Sequence, residues 1–255
     1  MTDNQWERLE PLLPPQKPQR GRPNADHRRI INAILWIDRT ASTWRDLPEK
    51  HGPWRTVASR FYRWQKAEVW DQVLKALQSH KDAEGELDWE VHYLDSTIVR
   101  AHQLASGAKG GDQKEQALGY SQGGFSTKVH IRSERRGKPM VFYLSEGQRN
   151  EMVSFWALME SGEVKRVGRG GRPSLRPRRI SAPTRATPRG VLRRYLRRLG
   201  IRMTIPRRTN EHRGGPFDRE IYRTRNLIER LINRLKLDST ASPCLEFCAY
   251  LSRLG

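Results

Sequence analysis

The residues with the clearest potential for chemistry lie in one run near the end of the chain, YRTRNLIERLINRLK. On a helix that turns about 100° per residue, four of its polar side chains share an arc of about 60°: Tyr222, Arg225, Glu229 and Lys236. A carboxylate that faces a phosphate-binding cleft needs basic neighbours, and this arc places a single acid among bases, beside an apolar seam. The alternative is a solvated helix face, on which Arg225 and Glu229 form an ion pair worth about a few tenths of a kcal/mol.

A second carboxylate, Asp95, follows a run in which apolar residues alternate with their neighbours. Trp89, Val91 and Tyr93 occupy every second position and lead into the sequence LDST. This period of two predicts a β-strand that carries Asp95 near its end.

The elements that would position these carboxylates change in character along the chain. Residues 1–82 predict a module of short helices, in which residues 54–64 are the candidate recognition helix of a helix-turn-helix DNA reader. A helical bundle with a purely structural role is the alternative. After residue 85 the pattern predicts a mixed α/β domain, with elements at residues 89–97, 125–131, 140–144, 151–159, 189–199, 203–205 and 218–236. The glycine-rich stretch 106–124 predicts a flexible connection.

The charge balance indicates the kind of partner. The 255 residues include 48 Lys and Arg against 28 Asp and Glu, a formal net charge of +20. Residues 165–213 alone hold 17 Lys and Arg and a single acid, Glu211. This surplus indicates a polyanionic partner, most simply nucleic acid, although a highly charged surface without a specific partner is the alternative. Apolar residues at helical spacing favour a folded helix at residues 189–199 over a disordered basic tail.

Composition excludes other classes of protein. The two cysteines, Cys244 and Cys248, are too few for a disulfide scaffold or a zinc ribbon. No apolar run approaches the roughly 18 residues of a membrane span, and no signal peptide opens the sequence. We therefore expect an intracellular protein that acts in the cytoplasm and binds no membrane.

Several stretches together resemble the DDE transposases of insertion sequences, of the insertion-sequence-five type. They are DNQWERLEPLLP, GRP, WRDLPEKHGPWRTVASRFYRW, HYLDST, GGFSTKVHI and the pattern Tyr-x2-Arg-x3-Glu-x6-Lys. The resemblance covers roughly residues 3–180 and 189–236. It implies an α/β, RNase H-like mixed sheet with flanking helices at residues 87–236, preceded by an all-α helix-turn-helix-like module at residues 1–82. Residues 237–255 form a divergent C-terminal tail.

The same resemblance implies a catalytic site. In the family, three carboxylates hold two divalent metals, Mg²⁺ or Mn²⁺: an Asp on the first strand, an Asp after the fourth and a Glu on the last helix. Asp95 matches the first catalytic and metal-binding position and Glu229 matches the third. Three signature residues are expected to hold DNA phosphates: Tyr222, Arg225 and Lys236. Lys128, in GGFSTKVHI, is a further candidate for DNA binding, and a solvent-facing strand lysine is the alternative.

The second Asp is where the chain departs from the family pattern. The family pattern is Ala-Asp-Lys-Gly-Tyr-Ser. In this chain Ala182 is followed by Pro-Thr-Arg-Ala-Thr-Pro at residues 183–188, so Pro183 stands where the carboxylate is expected. Codons for the family pattern, read one base out of frame, give these residues in order. No Asp or Glu occurs between Lys165 and Asn210. The sequence therefore indicates a degenerate or frame-shifted copy.

The sequence thus predicts an insertion-sequence transposase that cleaves and joins DNA strands by two-metal phosphoryl transfer, with activity impaired by the missing Asp. Its expected partners are double-stranded DNA, as element ends and target, and further copies of itself in a homo-oligomer on DNA at the nucleoid. A catalytically inactive, sequence-specific DNA-binding protein is the alternative. An RNA-binding structural protein fits the charge but not the dispersed motifs.

Overall fold

The computed structural model describes residues 1–17, 25–40, 42–100, 117, 119–121, 124–149, 151–165, 176–182, 189–204 and 217–238. They form two compact units. The first contains Met1–His80 and the described residues from Asn233 onward, and the second contains the described part of Lys81–Ile232. None of the helices in these ranges has the length and apolar character needed to cross a bilayer.

The first unit is built from helices, as the sequence predicts for residues 1–82. They are α1 (Asp3–Leu9), α2 (His27–Thr40), α3 (Trp54–Lys66) and α4 (Val69–Ala83), of which α4 continues into the second unit. A capping box between Thr2 and Gln5 starts α1, and Asp26 accepts from the Arg28 N–H at the start of α2. Apolar residues of the helices, including Ile31 and Phe61, form one buried core.

The second unit contains a sheet of mixed direction. Its strands are β1 (Val91–Arg100), β2 (Gly119–Ser121), β3 (Gly124–Glu134), β4 (Pro139–Glu146), β5 (Arg179–Ser181) and β6 (Arg202–Thr204). The order β2-β3-β1-β5-β6 puts β1 between antiparallel β3 and parallel β5. β4 also pairs with β3, and β6 runs parallel to β5. The predicted mixed α/β architecture is confirmed.

Four helices accompany this sheet along the chain: α5 (Glu151–Glu160), α6 (Arg189–Arg198), α7 (Arg219–Arg223) and α8 (Asn226–Asp238). Leu192 and Leu196 on α6 are fully buried and belong to a core cluster with strand residues such as Ile180. The basic segment is therefore folded at this helix, as its apolar spacing predicts, and the arginines of α6 lie on a helix with a buried seam.

Two predicted elements differ in the structure. The stretch 106–124 was predicted as a connection throughout, but Gly119–Ser121 pair with β3 as strand β2; residues 106–116 lie outside the described ranges. The single helix predicted at residues 218–236 is two helices, because a turn at Thr224 and Arg225 separates α7 from α8. The Thr224 hydroxyl donates to the Ile221 carbonyl at 3.0 Å, a local bond of the kind that competes with helix continuation.

Candidate active site

Asp95 lies on β1, the strand at the centre of the sheet. It pairs with Ile131 of β3 on one side, and β5 lies on the other side of the same strand. One carboxylate oxygen accepts from the Ser96 N–H at 2.9 Å, and the other accepts from Arg225 at 2.7 Å. The Asp95 side chain is 14 % exposed. Its surroundings therefore hold this carboxylate in one orientation.

Burial raises the pKa of Asp95 above its ordinary value. The Arg225 guanidinium and the Ser96 N–H act in the opposite direction, because both favour the ionised form. Glu229 raises the pKa further, since its negative charge is close enough to repel that of Asp95. A carboxylate with these neighbours has its charge stabilised chiefly by one guanidinium.

Arg225 occupies the turn between α7 and α8. Its Nη2 donates to Asp95, and its Nη1 lies 3.9 Å from a carboxylate oxygen of Glu229. The Arg225 side chain is only 12 % exposed, and its Nε is buried with no hydrogen-bond partner among the described residues. The guanidinium is thus an internal counter-cation for two carboxylates that the sequence singled out.

Glu229 lies in the first turn of α8 and keeps a 56 % exposed side chain. Ile228 and Leu231, its neighbours on the helix, are buried and fix the face on which Glu229 lies. The two predicted metal ligands therefore meet at one guanidinium, with Asp95 enclosed and Glu229 open to solvent. Across the described ranges, no group of three or more His, Cys, Asp or Glu side chains is arranged to hold a metal ion.

Two contacts that the sequence did not predict hold the turn in place. The Tyr93 hydroxyl contacts the Thr224 hydroxyl, and Tyr93 lies two residues before Asp95 on β1. Asp218 caps α7 by accepting from the N–H of Ile221, and it pairs with Arg179 of β5 at 2.9 Å. The period-two alternation could have identified Tyr93 as a neighbour of Asp95 at the site, because residues 93 and 95 share one face of a strand.

The other predicted residues are not all brought to this site. Tyr222 lies on α7, half-buried, with its ring 5.4 Å from that of Phe217. Because the helix breaks at Thr224, the predicted arc that joined Tyr222 to Arg225 on a single helix is wrong. Lys236 lies on α8 by its backbone, and its side chain is outside the described part of the chain. Pro183 also lies outside the described residues.

Lys128 lies on a different face of the sheet from Asp95. It is paired with Ile98 on β1, three residues after Asp95. Directly opposed residues of antiparallel strands share a face, and successive residues alternate between faces. The structure therefore does not bring Lys128 to the pair of carboxylates.

Part of the chain is similar to known proteins. A family model described as "Putative transposase of IS4/5 family" matches residues 1–74. An uncharacterized protein, y4sN, of Sinorhizobium fredii is 39 % identical over 126 residues, which are 48 % of this chain and 96 % of that protein. The uncharacterized 16.2 kDa protein of insertion element IS402 from Burkholderia cepacia is 36 % identical over 105 residues, 39 % of this chain and 71 % of that protein.

Proposed function

The chain belongs to the insertion-sequence transposases of the IS4/5 family, and from this we propose that it binds element ends and carries an incomplete strand-transfer site built on Asp95 and Glu229. The observation that carries the proposal is their meeting at Arg225. Arg225 and Asp95 are 130 residues apart in sequence, yet they are joined by a 2.7 Å contact, and Glu229 lies beside the same guanidinium.

The layout of the second unit supports an RNase H-like catalytic domain of the DDE type. Such a domain is expected to carry its first Asp on the first strand and its Glu on the last helix. Asp95 lies on β1, at the centre of the sheet, and Glu229 lies on α8. The proposal therefore assigns these residues as catalytic carboxylates on two elements that the core holds together.

The proposed cofactor is Mg²⁺ or Mn²⁺. Hard divalent cations prefer carboxylate oxygens, and Asp95 and Glu229 would hold such an ion. The described donors fit this role only in part, since they supply two carboxylates and Asp95 is already paired with Arg225. When bound, two such ions stabilise the attacking and leaving oxygens of an in-line phosphoryl transfer.

The chain's own residues would prepare the site in three ways. The Ser96 N–H and Arg225 orient the two oxygens of Asp95. The open position of Glu229 leaves its carboxylate accessible to an incoming ligand. The proposed phosphate contacts of Tyr222, Arg225 and Lys236 would lie on the chain segment next to these carboxylates. For Arg225, contact with phosphate requires release of its bond to Asp95.

We propose that the second carboxylate is missing because residues 183–188 are out of frame. Strand β5 ends at Ser181, which pairs with Tyr93, two residues before Asp95. In a parallel pair, a carboxylate two residues after Ser181 would be level with Asp95 if the strand continued. The sequence has Pro183 at that position, and proline has neither a side-chain oxygen nor an N–H.

The first unit is proposed to be a helix-turn-helix module that places α3 in the major groove of double-stranded DNA. One side of α3 packs into the core, and the residues of its outer side are exposed at helical spacing: Arg55, Ser59, Tyr62, Arg63 and Lys66. Two arginines and a lysine on one face suit contact with phosphates and base edges. Lys128 remains a proposed DNA contact apart from the carboxylates.

The assembly and location follow from the same proposal. Joining two element ends to a target requires more than one DNA site, so the protein is proposed to act as a homo-oligomer on DNA. Its proposed location is the cytoplasm, at the nucleoid, where its DNA substrate lies. The alternative function, a catalytically inactive protein that binds element ends, is favoured by one observation: Pro183 replaces the expected ligand.

A cleavage assay separates the two functions. The unmodified protein would be compared with a repaired variant, in which the six residues 183–188 are replaced by the five residues Asp-Lys-Gly-Tyr-Ser, and with the repaired variant carrying Glu229→Gln. We expect DNA binding by all three and Mg²⁺-dependent cleavage at an element end by the repaired variant alone. Robust cleavage by the unmodified protein would show that another residue completes the site. The absence of cleavage by all three proteins would favour the inactive DNA-binding protein.

A further inference from the structure

The outer face of α2, in the first unit, borders a basic pocket that the proposed recognition helix does not explain. The pocket is about 650 Å³ in volume, and its walls are α2 and the short turn Glu49–His51. Arg28, Arg29 and Arg39 line it from α2, and Lys50 lines it from the turn. The opposite face of α2 carries buried residues such as Ile34, so these arginines lie on the side away from the core.

The positive charge of the pocket is only partly neutralised. Asp26 lines the same pocket, and Arg28 forms an ion pair with Asp3. Arg29 has its Nη2 donating to the Glu49 carbonyl, a neutral acceptor, at 3.4 Å. The cations that remain face a common space, so an anion entering it would be attracted by several of them.

The turn Glu49–His51 holds Arg29 in position. The turn ends at Gly52, whose φ of +91° favours glycine. A Cβ at Gly52 would be in ordinary van der Waals contact with the Arg29 guanidinium, 3.4 Å from its central carbon, so the turn runs beside this group. The turn and the hydrogen bond to the Glu49 carbonyl restrict the positions open to the guanidinium, which reduces the entropy lost on binding.

The pocket is also lined by His51, one of whose ring nitrogens makes no hydrogen bond with the described residues. Its Nε2 is buried and has no hydrogen-bond partner among the described residues. Burial, Lys50 and Arg29 all lower the pKa of His51, which indicates a positive local field. The ring of Trp36 lies 6.2 Å from that of His51 and forms an aromatic wall of the same pocket. An anionic oxygen in the pocket would be attracted by the surrounding cations.

We infer that this pocket binds successive backbone phosphates of duplex DNA, an inference that rests on the proposed DNA binding and adds a contact surface separate from α3. The length of the basic face favours a polymer over a free phosphate. Arg28 and Arg39 are eleven residues apart, which is about 16 Å along the axis at about 1.5 Å per residue. One phosphate group cannot contact both ends of such a face.

The test measures the binding of the full-length protein to a labelled duplex of mixed sequence by fluorescence anisotropy at several salt concentrations. The variants are Lys50→Gln, the double variant Arg29→Gln/Lys50→Gln, and the control Lys75→Gln, which removes an exposed lysine from α4. Each lost phosphate contact reduces the slope of log affinity against log salt by about one. We expect the double variant to lose about two units of slope and to bind roughly tenfold more weakly at moderate salt, with Lys75→Gln unchanged.

The outcomes separate this inference from the proposed function. If the unmodified protein does not bind duplex DNA, both are wrong. If it binds DNA and the pocket variants match Lys75→Gln, only the pocket inference is wrong. A titration with inorganic phosphate, followed by the His51 ring signals in NMR spectra, distinguishes a site for a free anion from a site for the DNA backbone. If phosphate saturates the pocket while the variants leave the DNA affinity unchanged, the inference is also wrong. Unchanged melting temperatures would confirm that the variants remain folded.

Discussion

Arg225 donates to Asp95 across 2.7 Å from the two-residue turn, Thr224 and Arg225, that separates α7 from α8. The same guanidinium reaches within 3.9 Å of Glu229. A residue that the sequence assigns to DNA phosphates therefore has a second role, as the cation that balances two neighbouring acids. Any cation that binds Asp95 must compete with this contact.

Replacing Arg225 with Met tests its role as a counter-cation. The substitution leaves Asp95 mostly buried without its positive partner, so the pKa of Asp95 rises further and the protein loses about 2 kcal/mol of stability at neutral pH. A raised carboxylate pKa means that the deficit shrinks as pH falls and Asp95 becomes protonated. Urea unfolding at pH 7.5 and pH 5 measures both effects.

The double variant Arg225→Met/Asp95→Asn is the matched test of this pairing. It should recover most of the lost stability, because it removes the unpaired charge together with its partner. Arg223→Met, at an exposed neighbouring position, serves as the control. Equal destabilisation by Arg223→Met and Arg225→Met would mean that the ion pair contributes nothing.

The sequence predicts helices well where apolar spacing is strong. The spacing of Ile30, Ile31 and Ile34 marks the core face of α2, and the spacing of Leu192 and Leu196 marks the buried seam of α6. The break at Thr224 was not predictable in this way: the Thr224 hydroxyl donates to the Ile221 carbonyl and also contacts the hydroxyl of Tyr93 on a distant strand, and apolar spacing reveals neither contact. Residues 222–236 keep helical spacing on both sides of the break, so periodicity alone indicates one helix.

The candidate site was predictable in its acids but not in its geometry. Asp95 and Glu229 were identified from a strand pattern, a helix face and a family resemblance. Their meeting depends on how a strand and a helix far apart in sequence pack, which local patterns do not encode. The face on which Lys128 lies was not predictable either, because it depends on the pairing of Lys128 with Ile98 across two strands.

His92 makes stability depend on pH. It is fully buried, and burial together with Arg132 lowers its pKa well below the ordinary value. Below about pH 6.5 the unfolded chain takes up a proton that the folded chain does not, so stability falls as pH decreases. Between pH 7.5 and pH 5.5, the His92→Gln variant should therefore lose about 1.4 kcal/mol less stability than the unmodified protein. Urea midpoints at pH 7.5 and 5.5 measure this, with His80→Gln as an exposed control. The prediction fails if His92→Gln keeps the pH dependence of the unmodified protein.

Glu134 stabilises the turn between β3 and β4. Its buried carboxylate accepts three backbone N–H groups, from Asp88, Arg136 and Lys138. Glu134→Gln removes the charge and one acceptor oxygen from this network, so we expect a loss of about 1–3 kcal/mol. Chemical denaturation measures the loss, and Glu163→Gln, at an exposed site, should have little effect. Similar stability for both variants would contradict the structural role of Glu134.

DNA binding should depend steeply on salt and should survive the loss of the second Asp. If six or more phosphates are neutralised, affinity falls by about a thousandfold or more between about 50 and 200 mM salt. Arg194 and Arg197 are exposed on α6, and replacing both with Gln should reduce the salt slope by about two. Anisotropy titrations measure the slope. Binding that is flat across this salt range would mean that the basic surfaces do not contact DNA.

The most direct measurement is Mn²⁺ binding followed by electron paramagnetic resonance, because it tests whether Asp95 and Glu229 are ligands independently of DNA cleavage. We expect the repaired variant to bind Mn²⁺ at least about tenfold more tightly than the unmodified protein, since it regains a third carboxylate. Asp95→Asn or Glu229→Gln should abolish this gain, and Glu220→Gln, an exposed acid on α7, should not. Equal Mn²⁺ affinity in the unmodified and repaired proteins, unaffected by either substitution, would contradict the assignment of Asp95 and Glu229 as metal ligands.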